Sequence, residues 1–310
     1  MKYSQERVLV VKHGAFGDLV QADGILRDIR AFHPDAEITL LTAPAFRKLM
    51  SRCPHVDRVL TDSRSPLWNI REWVRLARLF KAGQFSKVYD LQNSDRTELY
   101  RKLFFRHARW NGRRVRERQS AALQGLVKQL QSEGIPTGHS LSPDVSWMVD
   151  DMTAFMQREG VRTPYVALIP GSSARHPQKR WPYYDQLASA LLERGYDVVT
   201  APGPDEIELA KSIPGHTLLG PNGFLNWFEL AGVLKGASFV VGNDTGPSHV
   251  ASCLRTPGLA LFGPHITATL TGICRGDFQA IEAPDLTGLS VRSVLDAVLT
   301  RLPPSQPNSV

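Results

Sequence analysis

At 310 residues, 42% apolar and 22% charged, the chain has the composition of a globular protein and the length for two domains, each with its own core. It shows no basic segment leading into an apolar one at its start and no run of about 18 apolar residues, so neither a signal peptide nor a membrane span is expected and a cytoplasmic location is predicted. The net charge of +7 is uneven: residues 1–155 carry 25 Lys+Arg against 17 Asp+Glu, a surplus of eight, whereas residues 156–310 carry 12 against 13.

Short β-branched runs alternate with amphipathic stretches along nearly the whole chain. "RVLVVKHG" reads as a strand, "DLVQADGILRDIRAFHP" as a helix with Leu19, Ile25, Leu26 and Ile29 on one side, and "EITLLTAP" as a strand, which makes a βαβ unit. Further strands are expected at 58–62 and 87–92, with 108–112 as an additional candidate. A second series starts at "YVALIPG" and continues with "DVVTAPG", "HTLLG", "SFVVGND" and "LALFGPH", with helices expected at about 182–194, 205–213, 225–236 and 246–255. A helical piece near 150–160 separates the series, and a last helix at about 288–302 precedes a proline-rich tail. The pattern predicts an α/β protein of two Rossmann-like, doubly wound parallel-sheet domains facing a cleft, with a boundary around residues 150–163, drawn at 155/156.

The loops after the strands carry the candidate chemistry. In "KHGAFGD", Gly14 and Gly17 allow close backbone approach to a ligand, but the spacing is not that of a dinucleotide fingerprint. Asp18 is either a helix cap or a general base exposed at the cleft. In "IPGSSARHPQKRWP", Gly171, Ser172 and Ser173 supply donors, while Arg175, Lys179 and Arg180 supply positive charge. That combination suits a diphosphate, or is an exposed basic turn, and Pro182 is expected to open the next helix.

"VVGNDTGPSHVAS" contains the Asp-Thr-Gly triplet of aspartic proteases, but here it stands once, between a strand and a helix, whereas the proteases need two copies in an all-β setting. With Pro247 in the first turn, Asp244, Thr245 and Gly246 instead form an anion-binding helix start, in which Asp244 orients the turn or meets a sugar. His249 is either a packing residue or a ligand to phosphate or sugar.

Other features are plainer. Cys53, Cys253 and Cys274 are odd in number and have no close pair, which argues against disulfides and a zinc knuckle and predicts buried thiols. No HExxH or Cys/His cluster indicates a metal. The tryptophans are scattered, with no stacking platform for nucleic-acid bases. Asp150-Asp151 reads as a helix cap. The basic runs "REWVRLARLFK" and "RKLFFRHARWNGRRVRER" either solvate helix faces or face an anionic partner, for which nucleic acid and a phosphorylated lipid head group are both candidates.

Taken together, "GAFGDLVQADGILRDIRAFHPDAEITLL", "YDLQNSDR", "KRWP", "VVGNDTGPSHVAS" and "LALFGP" resemble, in order, segments of the glycosyltransferase family 9 heptosyltransferases, which build the inner core of lipopolysaccharide. The resemblance implies a GT-B architecture, with an N-terminal acceptor-binding domain (1–155) and a C-terminal nucleotide-sugar-binding domain (156–310). It also implies inverting transfer from a nucleotide diphosphate sugar, usually ADP-heptose, with no required metal or other cofactor. Asp18 would then be the general base and Lys179 would stabilise the departing diphosphate. Gly171, Ser172, Ser173, Arg180, the Asp244-Thr245-Gly246 turn and His249 would face the donor. Glu206, or Asp205 beside it, would contact the ribose, and Gly14, Gly17, Gln92 and Arg96 would face the acceptor.

An acidic lipid-linked glycan acceptor fits the basic first domain, as does transient contact with the inner membrane surface; nucleic acid does not enter this reading. Departures from the family occur at Ala15-Phe16, Asp23-Gly24 and His265-Ile266-Thr267. The last of these loops lies near the donor in the family, which leaves open a transferase using another nucleotide sugar or a protein acceptor, and a nucleotide-sugar-binding protein without turnover.

Overall fold

The computed structural model describes residues 5–112, 122–173 and 176–303. Arg175, the basic residues 113–118 and the tail beyond 303 lie outside the described residues. The chain divides into two compact units, Met1–Trp147 and Met148–Val310. The expected boundary at 155/156 thus falls inside the second unit, because residues 150–152 already pack there. The Asp150 N–H donates to Phe228 O at 3.2 Å, and Gly232 has no room for a Cβ, which would stand 2.2 Å from Asp150 O.

The first unit runs β1 (Arg7–Val11), α1 (Phe16–Gln21), α2 (Asp23–Phe32), β2 (Glu37–Thr42), α3 (Arg47–Met50), β3 (Arg58–Thr61), α4 (Ile70–Gly83), β4 (Lys87–Asp90), α5 (Asp95–Phe104), β5 (Arg109–Asn111) and α6 (Ala122–Gln131). Its five strands are parallel in the order β3-β2-β1-β4-β5. Val8 to Val11 are fully buried, as expected of a central parallel strand covered on both faces. On one face Leu9, Val11 and Val88 pack against Leu76 and Phe80 of α4 and Tyr100 of α5.

The expected helix from 18 breaks at Ala22 into α1 and α2. At the break, two buried carboxylates of α2 are committed to the segment before Trp147. Asp23 accepts from the Asp144 N–H at 3.0 Å and the Trp147 indole at 2.9 Å, and Asp28 accepts from the His139 N–H and the Ser140 hydroxyl. A Cβ at Gly24 would stand 2.1 Å from His139 O. The Asp23-Gly24 departure is therefore a docking surface within this unit. Burial pushes the Asp23 carboxyl up to about 6, against the hydrogen bonds from Trp147 and Asp144.

The second unit runs α7 (Thr153–Arg158), β6 (Tyr165–Ile169), α8 (Tyr184–Leu192), β7 (Asp197–Thr200), α9 (Ile207–Lys211), β8 (His216–Thr217), α10 (Trp227–Gly236), β9 (Phe239–Asn243), α11 (Gly246–Cys253), β10 (Gly258–Phe262), α12 (Ala268–Thr271), β11 (Phe278–Glu282) and α13 (Val291–Leu299). Its parallel strands lie in the order β11-β10-β9-β6-β7-β8. Counted from β6, this is the 3-2-1-4-5-6 order of a Rossmann sheet.

Local signals explain most boundaries. Asn226 caps α10 while Glu229 reaches back to the Asn226 N–H at 2.8 Å, and Asp151 accepts from the Thr153 N–H at the start of α7. Three readings shift. Pro182 lies before α8 rather than at its first position, because Trp181 and Tyr183 first turn into the core. Strand β11 was not anticipated. Cys53 and Cys253 are buried, but Cys274 is exposed, in the connection between α12 and β11.

Candidate active site

In each unit the strand order reverses beside the first strand, at β1/β4 and at β6/β9. The loops leaving the carboxyl ends of these strands open a crevice there, the usual ligand position in an open α/β sheet. The residues singled out in the sequence cluster at these two places.

At the β6/β9 switch, Asn243 joins the two loops. Its buried amide donates to Pro170 O at 2.9 Å and Gly171 O at 3.1 Å, and its Oδ1 accepts from the Trp181 N–H and the Tyr184 hydroxyl. The Ser248 hydroxyl, one turn into α11, donates to Asn243 O at 2.6 Å. Gly242 permits that approach, since a Cβ there would stand 2.4 Å from Ser248 Oγ. Asn243 was not anticipated as a site residue: in the sequence it merely ends an apolar run. Replacement by Ala leaves several buried groups without partners and is expected to lower the unfolding free energy by about 3 kcal/mol. Urea denaturation of the variant checks this.

Trp181 positions Lys179. The indole is buried and donates to Leu289 O at 2.9 Å, so the short turn Pro177–Lys179 just before it is held at the sheet edge. Lys179, 22% exposed, places its Nζ 2.5 Å from Asp244 Oδ2. The same carboxylate lies 3.6 Å from His249 Nε2 and 3.3 Å from His265 Nε2. Burial pushes the Asp244 pKa up, but the His249 and Lys179 contacts outweigh it and hold the carboxyl well below its usual range. The Nδ1 atoms of His249 and His265 are buried without a hydrogen-bond partner. His265 belongs to the loop singled out as a departure from the family, but its contact with Asp244 was not anticipated; its ring stacks on Phe262.

The remaining residues expected on the donor side divide by what already occupies them. Thr245 precedes α11 with no side-chain cap, which leaves the first-turn N–H groups open to an anion. Arg180 donates from Nε and Nη2 to the hydroxyl and carbonyl of buried Ser172, so these two brace the loop, whereas Ser173 is exposed. The Glu206 carboxylate accepts from the Gly203 N–H at 3.1 Å and lies against Gly171, where a Cβ would meet Oε1 at 1.8 Å. Asp205 points into solvent. A separate cavity of about 960 Å³ opens at the amino ends of β6 and β7, lined by Asp150, Tyr165 and Asp197 and by none of the candidate site residues.

At the β1/β4 switch, the His13 N–H donates to Gln92 Oε1 at 2.9 Å and joins the two loops. Gly14 has a φ of +133°, and a Cβ there would stand 2.8 Å from the Phe46 ring. Asp18, the third residue of α1, accepts from the Ala15 N–H at 3.2 Å and lies 3.8 Å from Lys12 Nζ, with its side chain 49% exposed. The capping role and an accessible carboxylate thus coexist. Gly17 is buried in the same turn.

Arg96 is placed differently from the rest. Its guanidinium grips fully buried Asp62 at 2.8 and 2.9 Å, donates to Ser65 O at 2.7 Å, and stacks on Trp73. Asp62 also meets His13 Nε2 at 3.2 Å and the Tyr100 hydroxyl. Burial raises its pKa, but the bonds from His13, Arg96 and Tyr100 prevail and hold it well below the ordinary carboxylate range. The Asp62 end of this network left no signal in the sequence, because its partners lie far along the chain.

The family model for glycosyltransferase family 9 (heptosyltransferase) matches residues 109–275, more than half of the chain. The chain belongs to glycosyltransferase family 9. This glycosyltransferase is 24% identical to lipopolysaccharide heptosyltransferase 2 of Escherichia coli K12, an alignment that covers 83% of each chain. Its fold matches that of E. coli ADP-heptose lps heptosyltransferase II with a TM-score of 0.76 at 20% identity, over 95% of this chain and 98% of that one. E. coli heptosyltransferase WaaC with ADP-2-deoxy-2-fluoro heptose matches with a TM-score of 0.72 at 20% identity, over 95% and 99%. The two parallel α/β sheets are those of a GT-B transferase.

Proposed function

We propose that this glycosyltransferase moves a heptose from ADP-heptose to an acidic, lipid-linked inner-core acceptor of lipopolysaccharide, with inversion, at the cytoplasmic face of the membrane. The observation that carries the reading is the Lys179–Asp244 pair, held at the uncapped start of α11 where β6 and β9 diverge. As the anomeric carbon–oxygen bond breaks, negative charge grows on the diphosphate; the Lys179 ammonium and the first-turn N–H groups of α11 meet that charge. The second unit is thereby the donor domain, and transfer proceeds without a resident metal. Asp244 acts through Lys179, holding its ammonium in place. Glu206, against the phosphate loop, accepts from the ribose hydroxyls. In the first unit, the acceptor domain, Asp18 takes the proton of the attacking hydroxyl. Gly14, Gly17 and Gln92 shape the acceptor side, while Arg96 supports it from behind through Asp62.

A second reading keeps the chemistry but changes the donor sugar or base. It is favoured by His265, whose Nδ1 is buried without a partner beside the donor residues. Calorimetric titration with ADP, UDP, GDP and CMP separates the two. Selective ADP binding is expected; preference for another nucleotide selects the second reading, and binding of none overturns both.

A further inference from the structure

The first unit carries an exposed apolar turn that the transfer chemistry does not use. Leu67, Trp68 and Ile70 are 62, 83 and 71% exposed, and Val74 extends the patch one turn into α4. Large apolar side chains clustered in this way mark an interaction surface. The exposed stripe of α4 then turns basic: Ile70 and Val74 are followed at helical spacing by Arg78 and Lys81, with Arg71 alongside. Arg71, Arg78 and Lys81 have no acidic partner among the described residues, whereas the acidic residues nearby are spent. Glu72 pairs with Arg75, and Glu98 with Arg101 and Lys102.

The turn is pinned from beneath. Arg96 holds Ser65 O and Asp62, the Arg64 N–H donates to Asp62 at 2.8 Å, and Arg75 donates to Thr61 O at 2.6 Å. Asn69 caps α4 behind Trp68. Presenting Trp68 to solvent is therefore a built feature. The turn follows the carboxyl end of β3, and parallel strands place this at the same end of the sheet as the Asp18 loop.

We propose that the 66–74 turn inserts Leu67, Trp68 and Ile70 into the interfacial layer of an anionic lipid bilayer, while Arg71, Arg78 and Lys81 bind lipid phosphates. The pairing of apolar and cationic groups selects this occupant. Aliphatic side chains gain from acyl chains, Trp favours the head-group boundary, and the unpaired cations are drawn to a negative surface. Among the described residues no helix is long and apolar enough to cross a membrane. The inference specifies the membrane contact proposed above and does not depend on which donor is used.

The test is co-sedimentation of the full chain with phosphatidylglycerol/phosphatidylethanolamine vesicles and with phosphatidylcholine vesicles, alongside ADP titration. The wild type is expected to bind the anionic vesicles in a salt-sensitive manner. Leu67→Ser/Trp68→Ser/Ile70→Ser should weaken this about 100-fold, and Arg71→Gln and Arg78→Gln about fivefold each. The part of the fluorescence lost in Trp68→Phe should shift to the blue on binding. Nucleotide affinity should be equal in all variants, which reports an intact fold and keeps a failure of the donor reading separate. Absence of wild-type binding, or equal binding by the triple variant, overturns the proposal. A dimer that the triple variant dissolves would assign the patch to a second copy and equally overturn it.

Discussion

Replacing Asp18 by Asn is expected to lower kcat about a thousandfold while leaving ADP affinity unchanged. The substitution suits the local geometry, because an amide oxygen can still accept the Ala15 N–H and preserve the start of α1. It removes only the ability to take a proton. Steady-state kinetics with donor and a lipid acceptor provide the measurement. A loss below about tenfold would leave Asp18 as a cap and move the base elsewhere.

Lys179→Ala is expected to reduce kcat by a few hundredfold and to weaken ADP binding by a smaller factor. The split matters: an ammonium that merely anchors the diphosphate would change KM and nucleotide affinity alone. One that meets charge appearing during bond cleavage changes kcat more. Removing Lys179 also leaves the Asp244 carboxylate with only the two histidines, so thermal unfolding must accompany the kinetics. Lys179→Arg keeps the charge and should recover part of the rate. Asp244→Asn offers a complementary control, since it frees the ammonium without removing it. Because the pair keeps Asp244 ionised far into acid, its part in catalysis should not titrate anywhere above about pH 4.

Much of this site could be read from short segments, for a physical reason. In a parallel sheet every strand ends at the same edge, so a loop recognised after an apolar run is placed near the other such loops before any tertiary contact is known. That argument brought together Gly171, Lys179 and Asp244, and separately Gly14 and Asp18, while the family resemblance added Gln92. It failed where a side chain's partner is distant in sequence. Arg96 looks like a ligand-facing cation in "YDLQNSDR", yet Asp62, 34 residues earlier, claims it. Asn243 was missed because a polar residue at a strand end has no periodic signature, and the contact between His265 and Asp244 because 21 residues separate them. Strand β11, "FQAIE", alternates too briefly to stand out from a loop.

The Asn243 bracket has a consequence for how readily the donor preference of this transferase can be changed. One amide fastens the loop after β6 to the start of α11, and the Glu206 carboxylate rests on Gly171 in that same loop. In the proposed donor site, the group assigned to the nucleoside and the groups assigned to its phosphates are thus linked through one loop. A substitution that enlarges the nucleoside side displaces the phosphate side with it. Exchange of one donor for another in this fold should therefore require paired changes on both strands' loops, and single replacements should lose the original substrate before they gain a new one.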